Sequence, residues 1–464
     1  MTAASTIGYS QLADLVGPQR VTTDPAQLAT YEVDGIRPSA ALRPESTAQI
    51  AEIIKFAATE KRAVIPTGGR TKLTIGLPPE RYDVALDMSS LNKIVAYDPG
   101  DLTLSVEAGL PLTVLGETLA QHSQFLPLAV PYHTQTTIGG TIASGVDGPL
   151  RQFYGTARDF LLGIEFVTGD GAAAKSGGRV VKNVTGYDIH KLMIGALGTL
   201  GVITRLNFKT FPLPIASRGF VARFRTAQQA CDIRTRIACS HLTPLTLDIL
   251  SPDVTELFES DAASRFESAP MPANVLSRTE WAVSVGFAGN EKVRERYQSD
   301  LQQITKESGG AGVSLSEESL GAAFARQREF IPIALASSPA TTIAKMSVLP
   351  TRVHEALASA QKAAEANSLR WAALARGLGI IYFAMLPAAL NDETRRQIEN
   401  ATDAIHDTCS KIGGQSTIPW CPSPWKTDLN IWGPANSNFA QMQKIKKVFD
   451  PRRVLSSGRF VGGL

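Results

Sequence analysis

The stretch from Val64 to Gly76, VIPTGGRTKLTIG, constrains this chain more than any other. It begins as a buried strand, turns at Pro66, and passes through two adjacent glycines into small polar and basic residues. Adjacent glycines let consecutive backbone N–H groups point at one anion without Cβ obstruction. The pattern recurs at Gly139-Gly140, and at Gly195, Gly198 and Gly201 with three-residue spacing. Any single pair reads as a turn, and Gly177-Gly178, Gly309-Gly310 and Gly413-Gly414 are read so. Several such loops within the first 215 residues, two of them flanked by threonine, imply a long phosphate-bearing ligand threaded between subdomains. A β-branched side chain at Gly140 is expected to block that ligand, by filling space and by disfavouring positive φ. Neither a G-x-G-x-x-G strand–helix fingerprint nor a Gly-Lys-Ser/Thr loop is present, so the Rossmann and Walker frames are excluded.

A chain of 464 residues exceeds one core, and two or three domains are expected. Net charge is +3 and no Lys/Arg run reaches five, which argues against a nucleic-acid partner. The four cysteines, Cys231, Cys239, Cys409 and Cys421, have no C-x-x-C spacing. They form neither a disulfide framework nor a cluster-ligand set, and they lean towards a reducing compartment. The start of the chain lacks a charged n-region and a long apolar run, so no secretory signal is read. The most apolar segment, Gly377 to Leu390, is short for a bilayer and contains Pro387. A cytoplasmic protein without a transmembrane segment is expected, with membrane association only through partners.

Thr47 to Thr59 has apolar residues at helical spacing behind a Ser46 or Thr47 cap. Asp98-Pro99-Gly100 and Gly169-Asp170-Gly171 are turn signals. The Gly/Thr-rich run from Phe125 to Gly148 shows no obvious regular structure, and no internal repeat is visible. Pro212 and Pro214 mark a boundary, after which strand-like and helical runs alternate in an α+β texture.

Five segments in this order, YEVDGIRPSAALRPESTAQIAEIIKFA, VIPTGGRT, TIGGTIASGVDGPLRQFYG, KNVTGYDIHKLMIGALGTLGVIT and FDPRRVLSSGRF, resemble the FAD-linked oxidases of the vanillyl-alcohol-oxidase superfamily. Within it they resemble the FAD-binding subunits of glycolate oxidase most. The resemblance implies an α+β fold: an FAD-binding domain of two α/β subdomains over residues 1–215, an α+β cap or substrate domain over 216–420, and a segment over 421–464 returning to the FAD domain. It implies that Pro66, Thr67, Gly68, Gly69, Arg70 and Thr71 hold the FAD pyrophosphate. Thr137, Gly139, Gly140, Thr141 and Ala143 would follow the pyrophosphate and ribityl chain. Gly145 and Gly155 would border the flavin, Val202 and Ile203 would meet the adenine end through the backbone, and Gly201 would belong to the same cofactor site. Arg70 stands where some relatives carry a histidine bonded to the flavin, so FAD would be non-covalent.

The hydroxyacid dehydrogenases of this family carry a GHxGDGNxH segment and a later EHG segment. The matching stretches here, ALARGLGIIYF (Ala373 to Phe383) and KIGGQSTIPWCPSPWK (Lys411 to Lys426), contain no histidine, and the six histidines of the chain are scattered. No metal site is expected. Oxidation of a 2-hydroxy acid needs a base for the hydroxyl proton and a cation for the carboxylate. The candidates are Tyr382 or His406 for the base, and Arg376, Lys345 or Lys426 for the cation. Trp420, Trp425 and Trp432 would wall the site or pack between domains. Two readings follow. One is a flavin-carrying subunit that works beside a related catalytic flavoprotein and an iron–sulfur subunit. The other is a stand-alone FAD-dependent dehydrogenase of glycolate or D-lactate.

Overall fold

A computed structural model describes residues 9–179, 187–266, 275–434 and 437–464. Residues 182–186 of the KNVTG motif lie outside the described residues. The helix expected at Thr47–Thr59 forms, with the Ser46 hydroxyl accepting from the Gln49 backbone N–H at 3.2 Å. Its inward face buries Ile50, Ile53, Ile54 and Ala57. It delivers the chain into Val64–Thr67, which pairs in parallel with Val84–Asp87. On the other side the same strand takes up the C-terminal segment, since Val64 N donates to Val454 O at 2.8 Å and Ser456 N donates to Val64 O at 2.9 Å. The strand that feeds the Gly68-Gly69 loop is therefore fixed from both edges.

This four-stranded sheet has the order Val21–Thr22, Ala40–Leu42, Val84–Asp87, Val64–Thr67. Next comes an antiparallel five-stranded sheet, with Val202–Lys209 at its centre between Thr103–Glu107 and Leu161–Val167. Against it lies a helix that sequence did not anticipate, Ile138–Ser144. Two adjacent glycines lower its propensity. The Thr137 cap and complete burial of Ile138 and Ile142 override that cost.

The remainder forms one antiparallel sheet of eight strands. Its order resolves into two units of identical topology. Ser217–Phe224, helix Ala227–Ala238, Thr246–Leu250, Trp281–Ala288, helix Glu291–Glu307 and Ala311–Leu315 make the first. Thr342–Ser347, helix Val353–Ala366, Trp371–Arg376, Ile380–Met385, helix Asp392–Lys411 and Gln415–Trp420 make the second. The units meet where Thr246–Leu250 pairs antiparallel with Trp371–Arg376. The repeat that sequence did not show is structural: each unit keeps the strand and helix periods without keeping residue identity. All four of these helices pack on one face of the sheet. The opposite face meets Ile75, Val146 and Leu197 from the first half of the chain.

The final helix, Phe439–Phe449, is tied down by Lys446. Its ammonium donates to Asp450 at 2.7 Å, to Thr199 O at 2.8 Å and to Leu455 O at 3.0 Å. Asp450 in turn accepts from the backbone N–H groups of Val454 and Leu455, both at 2.9 Å. Removing one member of a buried pair strands the other charge, at a cost of about 3–5 kcal/mol. Lys446→Met is therefore expected to lower unfolding stability by about that amount in urea titrations. A loss below about 1 kcal/mol would show that the pair does not hold this segment.

Candidate functional site

The glycine loops converge on one cavity of about 750 Å³. Its floor is the loop from Pro66 to Leu73, its walls are Thr136 to Ser144 and Leu197 to Ile203, and Arg459 closes one end. Glycine is required here by close approach. A Cβ at Gly68 would run into the Thr137 hydroxyl, and one at Gly69 into the Gln135 carbonyl. A Cβ at Gly139 would come within 2.7 Å of Ala108. Thr137 caps the helix Ile138–Ser144 by accepting from Gly140 N at 3.3 Å.

Of the residues expected at a cofactor, Pro66, Thr67, Gly68, Gly69, Arg70 and Thr71 line this cavity. So do Thr137, Gly139, Gly140, Ala143, Gly201 and Ile203. Thr141 does not, because its hydroxyl donates to the Thr137 carbonyl within the helix, at 3.0 Å. The Val202 side chain is fully buried in the core beneath, which bears on neither side of the backbone contact expected of it. Gly145 and Gly155 line a separate cavity of about 380 Å³ around Asp147. The expected positive φ at Gly140 is also corrected. That residue lies inside the helix without one, and an added Cβ would meet only the Thr137 hydroxyl, at 3.1 Å. Left-handed backbone in this cavity falls instead at Arg70, Leu197 and Gly198, with φ 58°, 52° and 71°.

Sequence reasoning missed Lys72, which carried no spacing signal, and gave Arg459 no role although it sat in the closing motif. Both line the cavity. The Lys72 ammonium donates to Thr136 Oγ1 at 2.7 Å and to Pro131 O at 3.0 Å. Burial pushes its pKa down to about 7, against a smaller upward pull from the carboxylate of Glu329. Arg459 is 3% exposed. It donates to the carbonyls of Leu73 and Ile75, and its Nε has no partner. Arg70, with φ 58°, folds back over the Tyr31 ring at 4.6 Å and donates to Thr30 Oγ1 at 3.2 Å. Among the described residues none of these three cations makes an ion pair. Three cations without an ion-pair partner, around backbone that only glycine can supply, suit a ligand carrying two or more negative charges.

The candidates for hydroxy-acid chemistry lie elsewhere, and four of the five, Arg376, Lys426, Tyr382 and His406, are already engaged; Lys345 is half-buried beside Asp147 and makes no ion pair among the described residues. Arg376 pairs with Asp248 across the junction of the two repeated units, and donates to Gln327 O at 3.3 Å. Tyr382 donates to Asp147 at 3.2 Å, and burial followed by that carboxylate pushes its hydroxyl well above the usual range. Asp147 also pairs with Arg151, while Lys345, facing it from the sheet, and then Arg151 hold its carboxyl below the ordinary value against burial. Lys426 is 1% exposed and pairs with Asp34 at 2.8 Å, binding the C-terminal segment to the N-terminal one. His406 lies between Ser416 Oγ at 2.6 Å and the Asn430 carbonyl at 2.8 Å, and burial lowers its pKa. Trp420 packs on the sheet face towards the first half, Trp425 packs in the helix-side core, and Trp432 touches both. Among the described residues no three His, Cys, Asp or Glu side chains gather as metal donors, and no helix is long and apolar enough to cross a membrane.

Comparison with known proteins bears on the cavity. A family model described as FAD binding domain matches residues 38–177, and one described as FAD linked oxidases, C-terminal domain, matches residues 213–417. Glycolate oxidase subunit GlcD of Bacillus subtilis is 23% identical over 97% of this chain and 95% of its own length. Glycolate oxidase subunit GlcE of Escherichia coli is 38% identical over 36% of this chain and 47% of its own length. The solved structure of p-cresol methylhydroxylase with substrate bound superposes with a TM-score of 0.77, at 17% identity, over 97% of this chain and 95% of that one. That last likeness is one of fold.

The cavity makes a prediction about stability that needs no ligand. Gly69→Ala should destabilise the chain by about 1–3 kcal/mol, because the methyl meets a backbone carbonyl. Gly321→Ala is the control: it sits in the helix Glu317–Arg328 with open space around it, and should leave stability equal or up to about 1 kcal/mol higher. Equal melting of both variants would contradict the close approach.

Proposed function

From the premise that this chain belongs to the FAD-linked oxidase family, we propose that it is the FAD-binding subunit of a complex that oxidises a small 2-hydroxy acid, glycolate being the first candidate. FAD occupies the 750 Å³ cavity. The loop from Pro66 to Thr71 and the start of the helix Ile138–Ser144 hold its diphosphate through backbone N–H groups, and Lys72 and Arg459 supply the opposing charge. Bound FAD provides an acceptor for two electrons and a proton equivalent. Attachment is non-covalent, since Arg70 stands in the loop where a bonding histidine would be needed and has no nucleophile to offer.

One contrast carries the subunit reading. The cations of the FAD cavity make no ion pair, while Arg376, Tyr382 and Lys426, three of the groups offered for a hydroxy acid, are committed to internal partners; Lys345 faces Asp147 without an ion pair. Tyr382 holds its proton too tightly to serve as a base, and Arg376 already binds a carboxylate. General-base catalysis contributes about 100- to 10,000-fold, and this chain alone forfeits it. A related catalytic flavoprotein removes the substrate hydrogen, and electrons pass to an iron–sulfur partner. The alternative, a stand-alone 2-hydroxyacid dehydrogenase, draws on the end-to-end likeness to a glycolate oxidase subunit. The purified FAD-loaded chain, mixed anaerobically with glycolate or D-lactate, is expected to keep its oxidised flavin absorption. Bleaching by either acid would establish the alternative.

Two further outcomes follow from the cavity. Acid precipitation should release all yellow colour into the supernatant, and flavin in the pellet would mean a covalent bond. FAD binding should also take up a proton. With an empty-cavity pKa of about 7, Lys72 is largely neutral at pH 8, and an anion beside it raises that pKa. Uptake therefore occurs above pH 7, and affinity falls by up to about tenfold per pH unit there. Calorimetry at pH 8 in two buffers of different ionisation enthalpy reads this directly. Lys72→Met should bind FAD more weakly and show no uptake, whereas identical heats in both buffers for the wild type would remove Lys72 from the site.

A further inference from the structure

A polar strip crosses the sheet face that meets Ile75, Val146 and Leu197. Residues directly opposite one another on neighbouring strands share a face, and so do residues two apart on one strand. Tyr382 packs in that face and lies opposite both Lys345 and Leu374. Lys345 in turn lies opposite Thr417. Arg376, two residues beyond Leu374, lies opposite Asp248, and Asp248 lies opposite Ser284. Lys345, Tyr382, Arg376 and Asp248 therefore project together towards the first half of the chain.

Asp147 enters this strip from the other side, just beyond the end of the helix Ile138–Ser144. Its carboxylate accepts from the Tyr382 hydroxyl at 3.2 Å and pairs with Arg151, one helical turn along the chain. The side chain is 11% exposed, and with Arg151 it lines the cavity of about 380 Å³. Burial pushes the carboxyl up, while Lys345, Arg151 and Arg376 together hold it below its ordinary value, so it is ionised at neutral pH. Arg376 has a carboxylate of its own in Asp248. Among the described residues Arg151 forms its ion pair with Asp147 alone, and Lys345 forms none. One carboxylate thus compensates two cations. Desolvated charge without a counter-charge is costly, so a strip stripped of the Asp147 charge has a strong demand for another anion.

We propose that Asp147 is a specificity determinant, an internal anion that closes this strip to external carboxylates. With its charge removed, the strip takes a small monocarboxylate, of the size of acetate or glycolate, between Lys345 and Arg151. The adjoining cavity leaves room for a two-carbon acid. The inference deepens the reading of the chain as a subunit that leaves hydroxy-acid oxidation to its partner, and rests on that reading only in naming a hydroxy acid. Exclusion of carboxylates requires no flavin.

Equilibrium dialysis of the full chain against labelled acetate and labelled glycolate tests it. Wild type should show no binding of either acid at about 10 mM, whereas Asp147→Ala and Asp147→Asn should bind both with a Kd of about 1 mM. Asp147→Asn keeps the size of the side chain and an acceptor for Tyr382, which controls for collapse of the loop. Tyr382→Phe leaves the carboxylate in place and should stay closed. Adding Lys345→Met to Asp147→Ala should return binding to the wild-type level. Where Asp147→Ala melts low, about 100 mM acetate should raise its melting temperature and leave that of wild type unchanged. Wild-type binding as tight as that of Asp147→Ala would overturn the proposal, as would folded Asp147→Ala and Asp147→Asn that both ignore either acid. Purification of the wild type without flavin would count against the FAD reading of the first cavity, and the dialysis would still decide the role of Asp147.

Discussion

Gly69 lies against the carbonyl of Gln135 so closely that no side chain fits between them. Most of the first half of the molecule is arranged around that contact. It requires the strand Val64–Thr67 to end where it does, and pairing with Val84–Asp87 on one edge and with the segment around Leu455 on the other sets that end point. It also requires the helix Ile138–Ser144 to begin at Thr137, whose hydroxyl both caps the helix and fills the space where a Gly68 side chain would be. The cavity is what remains between these two pieces of backbone.

Charge is distributed around this frame in two ways. Outside the cavity, several buried ions are paired, Lys446 with Asp450, Lys426 with Asp34 and Arg376 with Asp248, while Arg234 donates to the carbonyls of Gly377 and Pro350. Such pairs hold segments in place but gain little net energy, because desolvation offsets their attraction. Inside the cavity, Lys72 and Arg459 donate only to hydroxyl and carbonyl oxygens, and the carboxylates of Glu329 and Asp34 act on them without ion-pair contact. Desolvated cations without a carboxylate are costly, and an anionic ligand removes the cost. The same physics that depresses Lys72 makes it respond to a diphosphate, whereas Arg376 has already met its carboxylate and has little left to offer a substrate.

Much of this was legible in the sequence. Adjacent glycines next to threonine pointed to the cavity, because the backbone conformations and approaches they allow are local properties of glycine. The helix Thr47–Thr59 followed from its cap and its spacing. What failed to show depends on distant contacts. Lys72 differs from any surface lysine only through its burial against Pro131 and Thr136. Thr141 sits in a quoted motif, yet its hydroxyl is tied to the Thr137 carbonyl and it lines the cavity around Asp147, a direction set by packing rather than by motif. Gly145 and Gly155 border Asp147 instead, because the chain turns away after Ser144. The repeated units of the large sheet left no mark, since strands buried on both faces and helices packed on one constrain period and not identity. Residues 182–186 lie outside the described residues.

The account stands on FAD lying with its diphosphate against the Gly68-Gly69 loop. A crystal structure of the chain purified with its flavin tests this most directly. The two phosphates should contact backbone N–H groups between Gly68 and Thr71 and near Gly139-Gly140, with Lys72 and Arg459 turned towards the cofactor and no bond from Arg70. A flavin bound outside this cavity, or held in it with the diphosphate remote from the glycine loop and from both cations, would contradict the account.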